Sequence, residues 1–320
     1  MTKAVVLATT FGMAAVAGTA TFAEYPEQPI EMIVAYSAGG GTDTAARTLA
    51  PFIEKYLGDD ASISVINRPG AGGEIGFTAL SQAEPDGYTI GFINTPNILT
   101  IPISRDTRYT MEDIQAVANV VYDPGAFNVL PDSDFTSLEE LVAHAKENPG
   151  EVTYGTSGVG GDDHLAALQF SRAAGIEMRH VPFSGAADVR AAALGGHIDM
   201  AVLNISEAIE LVEQGKLVSL GQMGHERWHG APDVPTFKEQ GFDVVMGSDR
   251  GVGAPAGIPQ EALDALQKAI AQTVGDPEFL DAAAKQMLPL NYQDAAEFQS
   301  YLEQLGANLQ EIWNETPWVK

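Results

Sequence analysis

Two glycine-rich segments are the places where this chain is best equipped to hold a small anion. Residues 37–41 follow an apolar run at 30–36, and residues 155–161 follow a second run at 152–154. A glycine-rich loop at the start of a helix offers backbone N–H groups and the positive end of the helix dipole, so it needs no cationic side chain. Both segments can also be ordinary turns in which glycine adopts a positive φ. Their recurrence at equivalent places favours binding.

The two segments lie in two copies of one pattern. Each copy reads as strand, glycine loop, acidic residue, helix, strand, proline-containing turn and helix. The first copy has a helix ending at Leu57 and a strand at 63–66, and the second has helices at 164–174 and 186–194. Strands that alternate with helices predict parallel sheets. We therefore expect an α/β fold of two lobes, each a mostly parallel sheet flanked by helices.

A third strand is predicted in each copy, at 88–93 and at 198–203. Asn94 and Thr95 follow the first of these strands, and Asn204 follows the second. Ligands of open α/β sheets bind beyond the carboxyl ends of the strands. These polar residues and the glycine loops are therefore predicted to face one cleft.

The order of the elements also predicts where the chain changes lobes. A turn at 122–125 separates two apolar runs, and a return between 224 and 250 would bring three C-terminal helices back to the first lobe. Those helices are predicted at 259–274, 277–287 and 295–313. We predict that lobe 1 comprises residues 24–124 and 240–320, and that lobe 2 comprises residues 125–239.

The N-terminal residues 1–23 have the features of a signal peptide. Lys3 precedes an apolar run from Ala4 to Ala17. Small residues typical of a cleavage site follow this run, and we predict cleavage near Ala23. The run is shorter than the roughly 20 residues that a spanning helix needs. Export to the periplasm is therefore expected. The chain has no Cys, which excludes disulfides and thiolate chemistry.

The formal net charge of −26 limits the kinds of partner. Without a basic face the chain has no means of displacing the counterions of nucleic acid, so nucleic acid is excluded as a partner. The overall field also repels anions. An anionic ligand would depend on local donors inside a cleft.

Two catalytic patterns are present but incomplete. Residues 225–229 match the zinc-protease pattern H-E-x-x-H, yet they lie between Gly224 and Gly230-Ala231-Pro232, which leaves room for about one helical turn. Ser157 lies in a near match to G-x-S-x-G, with Val159 at the last glycine, although Asp163 and His164 follow closely. Nucleotide-binding glycine motifs are absent. We expect no catalytic residues, no metal site and no cofactor.

Two arginines have different predicted roles. Arg47 follows Asp43 by four residues, as in a simple helical ion pair. Arg250 lies between a predicted strand and a loop. It can bind a ligand carboxylate as a bidentate fork, or it can form a structural pair with Asp249 or another acid, and the sequence leaves both possibilities open.

Motifs distributed over nearly the whole chain after residue 23 together resemble one family, the solute-binding proteins of tripartite tricarboxylate transporters, or Bug-type receptors. Those in the first half are Tyr25-Pro26-x-x-Pro29-Ile30, Gly39-Gly40-x-Thr42-Asp43-x-x-Ala46-Arg47, Asn67-Arg68-Pro69-Gly70-Ala71-Gly72-Gly73 and Pro85-Asp86-Gly87-Tyr88-Thr89. Those in the second half are Gly155-x-Ser157-Gly158-x-Gly160, His164-Leu165, His180-Val181-Pro182-Phe183-x-Gly185, Gly196-x-Ile198-Asp199, Pro232-Asp233-Val234-Pro235-Thr236 and Ala254-Pro255-x-Gly257-x-Pro259.

The resemblance implies a type II periplasmic binding protein with Venus-flytrap closure. It implies that both glycine loops hold the carboxylate of a small organic acid and that the closed form meets a large and a small membrane subunit of a transporter. We expect the receptor itself to be a monomer. The predicted ligand-binding residues are Tyr36, Ser37, Ala38, Gly39, Gly40, Gly41, Asn94, Thr95, Thr156, Ser157, Gly158, Gly160, Asn204 and Arg250.

The chain departs from the family pattern at Ala35 and Ser37, near which many relatives have proline, and at Arg250, where they often have tryptophan. An arginine there suits a second acidic group, so the sequence favours a dicarboxylate or tricarboxylate. Two alternatives stay open, an exported α/β hydrolase and a sensor that presents its closed form to a signalling protein.

Overall fold

The computed structural model describes residues 25–319. The strands are β1 (Ile30–Val34), β2 (Ile63–Asn67), β3 (Thr89–Asn94), β4 (Ile114–Val129), β5 (Thr153–Thr156), β6 (Arg179–Pro182), β7 (Met200–Asn204), β8 (Val218–Gln222), β9 (Gly247–Pro255) and β10 (Leu290–Gln293). The α-helices are α1 (Gly41–Leu57), α2 (Glu74–Ser81), α3 (Asn97–Ser104), α4 (Leu138–Glu147), α5 (Asp162–Ala174), α6 (Ala186–Leu194), α7 (Ile205–Glu213), α8 (Gln260–Thr273), α9 (Pro277–Lys285) and α10 (Ala295–Glu315). Short 3-10 turns cover Ala71–Gly73 and Met111–Asp113.

One long strand joins two halves of the sheet. The first part of β4 pairs antiparallel with β9, from Ile114 opposite Pro255 to Pro124 opposite Gly247. The second part pairs antiparallel with β7 and β8, beginning at Gly125 opposite Asn204. β4 therefore changes partners within the turn-like segment Asp123-Pro124-Gly125 that the sequence marks as a crossing.

Each half keeps a parallel core of the predicted kind. β1 pairs parallel with β2 and β3, and β5 pairs parallel with β6 and β7. The apolar strands β1, β3 and β7 are buried on both faces, as expected for parallel strands covered by helices, whereas the edge strands β2 and β6 are partly exposed. The fold class predicted from the sequence is confirmed. The antiparallel strands β4 and β9 lie between the two parallel cores.

The apolar core is divided in the same way. One cluster joins β1, α1 and α8 through residues such as Val34, Leu49 and Leu266. Another joins the far end of β4 with α4 and α5 through Phe127 and Phe170. The C-terminal helices α8 and α9 thus pack on α1 rather than on the elements nearest them in sequence.

Helix starts differ slightly from the sequence-based expectation. The sequence pattern places an acidic residue before each helix, but α1 starts at Gly41 with Gly40 as its N-cap, so Asp43 lies inside the first turn. Likewise α5 starts at Asp162, with Gly161 as its N-cap, two residues before the predicted start. Both glycine loops therefore end at a helix whose first turn carries buried acids. None of the helices between residues 25 and 319 is long and apolar enough to cross a membrane.

Candidate ligand-binding cleft

The carboxyl ends of strands from both halves of the sheet converge on one narrow cleft. β1 and β3 lead into it from one side, beside the amino-terminal end of the antiparallel strand β9, and β5 and β7 lead into it from the other. The cleft encloses a cavity of about 20 Å³, enough for a water molecule. It is lined by Tyr36, Gly40, Gly41, Thr42, Asn94, Asn97, Ser157, Asp162, Ala186, Asn204, Glu207, Ser248 and Arg250.

An internal carboxylate occupies the N-terminus of α1. The N–H of Gly41 donates to Oε1 of Glu207 at 2.9 Å. Glu207 comes from the first turn of α7, across the cleft, where its other oxygen accepts from the N–H of Asn204 at 3.3 Å. A methyl group at Gly41 would collide with the Glu207 carboxylate and the Arg250 guanidinium, so this close approach requires glycine. The predicted anion-binding position therefore does hold a carboxylate, and the carboxylate belongs to the protein.

Arg250 is a buried structural cation. Its side chain is 1% exposed and lies 2.9 Å from Oδ2 of Asp123 and 3.0 Å from Oε1 of Glu207. Its Nη2 also donates to Oδ1 of Asn204 at 2.8 Å. Of the two roles that the sequence left open, the structure shows the ion pair, although the partners are Asp123 and Glu207. Asp249 instead accepts from Thr95 Oγ1 at 2.9 Å.

Four carboxyl groups surround this one guanidinium. Asp123, Asp162 and Asp163 are each at most 3% exposed, and the Glu207 side chain is 7% exposed. Loss of hydration raises the pKa of Asp123 to about 6, although Arg250 acts in the opposite direction. Burial likewise raises the pKa values of Asp162 and Asp163, and their mutual repulsion contributes to the rise for Asp163. The cleft is thus rich in carboxyl groups that one arginine does not neutralise.

The second glycine loop is organised by neutral groups. The N–H of Gly160 donates to Nδ1 of His164 at 3.2 Å, and Thr156 Oγ1 lies 2.7 Å from Nε2 of His180. The two imidazoles stack with their centroids 4.2 Å apart. Burial lowers the pKa of His164 to about 3, assisted by His180, and burial lowers the pKa of His180 to about 4. Both rings are therefore neutral at physiological pH.

Contacts across the cleft show that its walls are closed on each other. Thr100 Oγ1 donates to the carbonyl of Gly160 at 2.6 Å, and Arg190 Nη2 donates to the carbonyl of Gly39 at 2.6 Å. Ser37 Oγ donates to Asp188 at 2.8 Å. Both glycine loops therefore form part of the closed interface.

Comparison with known proteins identifies the family. Residues 45–315 match the model of the tripartite tricarboxylate transporter family receptor, TctC. The chain belongs to this family. It is 31% identical to a UPF0065 protein from Cupriavidus necator, over 91% of this chain and 88% of that one.

Two solved structures share the fold. The periplasmic binding protein BugD superposes with a TM-score of 0.85 at 27% identity, covering 91% of this chain and 98% of that chain. An R. palustris protein with adipate superposes with a TM-score of 0.85 at 25% identity, covering 91% of this chain and 97% of that chain. The predicted family is confirmed, and it is a family of substrate-binding receptors.

The structure brings half of the predicted site residues of this TctC-family receptor to the cavity wall. Those that line the cavity are Tyr36, Gly40, Gly41, Asn94, Ser157, Asn204 and Arg250. Those that lie elsewhere are Ser37, Ala38, Gly39, Thr95, Thr156, Gly158 and Gly160. Ala38 and Gly39 are exposed. The Thr95 hydroxyl donates a hydrogen bond to Asp249, and the Thr156 hydroxyl donates one to the carbonyl of Gly158 in its own loop.

Sequence reasoning missed several residues that line the cavity, above all the acids Asp162 and Glu207. Asp162 directly follows a glycine loop but was not among the predicted site residues. Glu207 follows Asn204 by three residues, which is the spacing of a capping box, and the structure shows this box at the start of α7. That spacing was the available signal, since it places the glutamate at the helix start beside the strand end.

The two incomplete catalytic patterns do not form the corresponding sites. Residues 225–229 are not helical, and Arg227 within them pairs with Glu239 at 2.9 Å. Between residues 25 and 319, no group of three or more ligating side chains is arranged to hold a metal ion. Nδ1 of His164 accepts from the Gly160 amide, so this nitrogen is not aimed at Ser157 as a base. Arg47 pairs with Asp43 at 3.0 Å, as predicted.

Proposed function

We propose that this chain is a periplasmic receptor that binds a small carboxylate in the cleft and delivers it to a membrane transporter. The observation that carries the proposal is the convergence of two glycine loops, each at a helix N-terminus, on one cavity in a member of a receptor family. The N–H of Gly41 already binds a carboxylate group there, that of Glu207. Helix N-termini stabilise negative charge in this way.

The proposed lobes follow from the change of partners along β4. Residues 24–124 and 240–320 are assigned to lobe 1 and residues 125–239 to lobe 2. Support comes from the packing of α8 and α9 on α1. Phe242 and Val244 pack with the second core, and β9 begins at Gly247, so we propose to move the return crossing to Gly247.

Ligand capture requires these lobes to move apart. A cavity of about 20 Å³ does not admit an organic acid, so opening must precede binding, and closure then sequesters the ligand. The closed form would be the one that meets the large and small membrane subunits. We propose further that residues 1–23 direct export, that cleavage occurs near Ala23, and that the receptor acts as a monomer without metal or cofactor.

The expectation of a dicarboxylate or tricarboxylate has less support than the broader carboxylate proposal. It rested on a free Arg250, and the guanidinium is instead paired with Asp123 and Glu207. A second acidic group on the ligand would therefore meet a guanidinium that is already ion-paired, although its Nε and Nη1 have no hydrogen-bond partner.

A thermal-shift screen of small organic acids tests the proposal. The purified exported chain should show a rise in unfolding midpoint with at least one acid, because a ligand that binds only the folded state stabilises it by about 2.7 kcal/mol at a hundredfold excess over Kd. Neutral sugars serve as the negative set. A midpoint raised by sugars and by no acid would refute the carboxylate proposal.

A further inference from the structure

The charge balance of the cleft indicates what else its ligand carries. Burial raises the pKa of Asp123 to about 6 and that of Asp162 to about 7, so at pH 8 these two carboxylates and that of Glu207 outnumber the single positive charge of Arg250, while the raised pKa of Asp163 favours its neutral form. Arg250 forms ion pairs with Asp123 and Glu207 and donates through Nη2 to Asn204, while its Nε and Nη1 have no hydrogen-bond partner. A ligand with only carboxylate groups would add negative charge to a buried site that already carries an excess of it.

A buried acceptor without a partner lies in the same wall. Asn94 is 3% exposed and lines the cavity, and its Nδ2 donates to Thr42 Oγ1 at 2.8 Å. This leaves Oδ1 of Asn94 without a hydrogen-bond partner. A buried carbonyl oxygen of this kind calls for a donor, and an N–H group of a ligand supplies one.

The acids nearest the cavity add acceptors to this oxygen. Asp162 and Glu207 both line it, Asp162 from the first turn of α5 and Glu207 from the first turn of α7. Donors for a ligand carboxylate lie in the same wall, namely the hydroxyls of Ser157 and Thr42 and the Nε and Nη1 of Arg250. The cavity wall therefore offers acceptors for a cationic nitrogen as well as donors for a carboxylate.

We propose that Glu207, Asp162 and Oδ1 of Asn94 form a subsite for a cationic nitrogen, so that the ligand of this receptor is an organic acid that also carries an amino group. The ammonium compensates the excess negative charge, and each of its N–H groups meets an acceptor. This inference rests on the proposed function and narrows its substrate class from carboxylates to amino-carboxylates.

Matched acids that differ by one amino group test the subsite. Succinate is paired with aspartate, glutarate with glutamate and butyrate with γ-aminobutyrate, and each is titrated by calorimetry at pH 8 into the purified exported chain. The expected result is that the aminated member of at least one pair binds tenfold or more tightly than its partner. Equal or tighter binding of the members without nitrogen would overturn the subsite and leave the carboxylate receptor intact.

Two variants connect the preference to the named residues. Glu207→Gln keeps the shape of the side chain and removes its charge, and it should reduce the preference for the aminated acid at least threefold. Glu210→Gln is the matched control, because Glu210 is exposed on the same helix outside the cavity and the change in net charge is the same. If Glu207→Gln does not fold, Asp162→Asn replaces it.

Two further outcomes test the residue assignment and the proposed function separately. A preference unchanged in both Glu207→Gln and Asp162→Asn would refute the assignment of these residues. Binding of putrescine, a diamine without a carboxylate, with no binding of any acid would support the cation subsite and contradict the proposed function.

Discussion

The two glycine loops have similar sequences and different chemistry. In the first, carboxylates accept from the backbone: Glu207 from the Gly41 N–H and Asp43 from the Gly39 N–H, each at 2.9 Å. In the second, the Gly160 N–H donates to a neutral imidazole, His164. A repeated loop pattern thus specifies a repeated backbone shape, while the partners of its N–H groups differ between the two copies.

The largest expected loss of stability follows from removing the Arg250 cation beside the first loop. Arg250→Met removes the counter-charge of Asp123 and Glu207, and breaking a buried pair in this way costs about 3–5 kcal/mol. Denaturant unfolding at pH 8 measures it. Arg47→Met is the control, because its pair with Asp43 is half exposed on the arginine side and its loss should cost less than about 1 kcal/mol. Equal losses for the two variants would show that the cluster around Arg250 does not depend on it.

His164, which contacts the second loop, should make the folded chain less stable as the pH falls. The pKa of His164 is 6.5 in an ordinary setting and about 3 in the folded chain. The unfolded state therefore binds more protons as the pH falls below 6.5, and the folded state loses up to about 1.4 kcal/mol per pH unit. Urea unfolding of wild type and His164→Gln from pH 8 to 5 measures this. An identical slope in the variant would contradict the assignment.

Asp123, beside the first loop, should act in the opposite direction. Its pKa rises from 3.8 to about 6 on folding, so the folded state binds more protons between these values and gains stability as the pH falls through 6. Asp123→Asn should remove this gain and make the acid loss steeper than in wild type. The same unfolding series measures it, and a shallower loss in Asp123→Asn would contradict the sign.

A methyl group at the second loop should affect closure more than stability. Gly158 has φ +147, and a Cβ there would lie 2.6 Å from the Cα of Gly72 across the cleft. Gly158→Ala should therefore weaken binding of a cognate acid by about tenfold or more, since the closed form is impeded. Gly39→Ala is the control, because it also has a positive φ but nothing within 4 Å of its Cβ. Calorimetry should show a small effect for Gly39→Ala, and equal weakening would attribute the loss to backbone strain alone.

The fold was largely accessible from the sequence because its signals are local. The apolar runs of β1 and β7, the helical spacing of α1, and the bounds of α6 at 186–194 follow from composition and periodicity. The position of β9 between β3 and β4 could not be predicted in this way, because antiparallel pairing between residues more than 100 positions apart leaves no local signal.

The site was accessible only in part, for the same reason. Gly41 and Ser157 were predicted to line the cavity because loop position is a local property. The role of Arg250 depended on Asp123 and Glu207, which are distant in sequence and become its partners only after folding. Glu207 was missed because an acid at a helix start has the ordinary explanation of capping.

The most direct test of the account is a structure of the chain with the tightest-binding acid from the matched pairs. We predict that the ligand lies between the two glycine loops, with a carboxylate near Ser157 and its nitrogen within hydrogen-bonding distance of Glu207 or Asp162. An acid bound outside this cleft, for example in the surface pocket beside Trp228, would contradict the account.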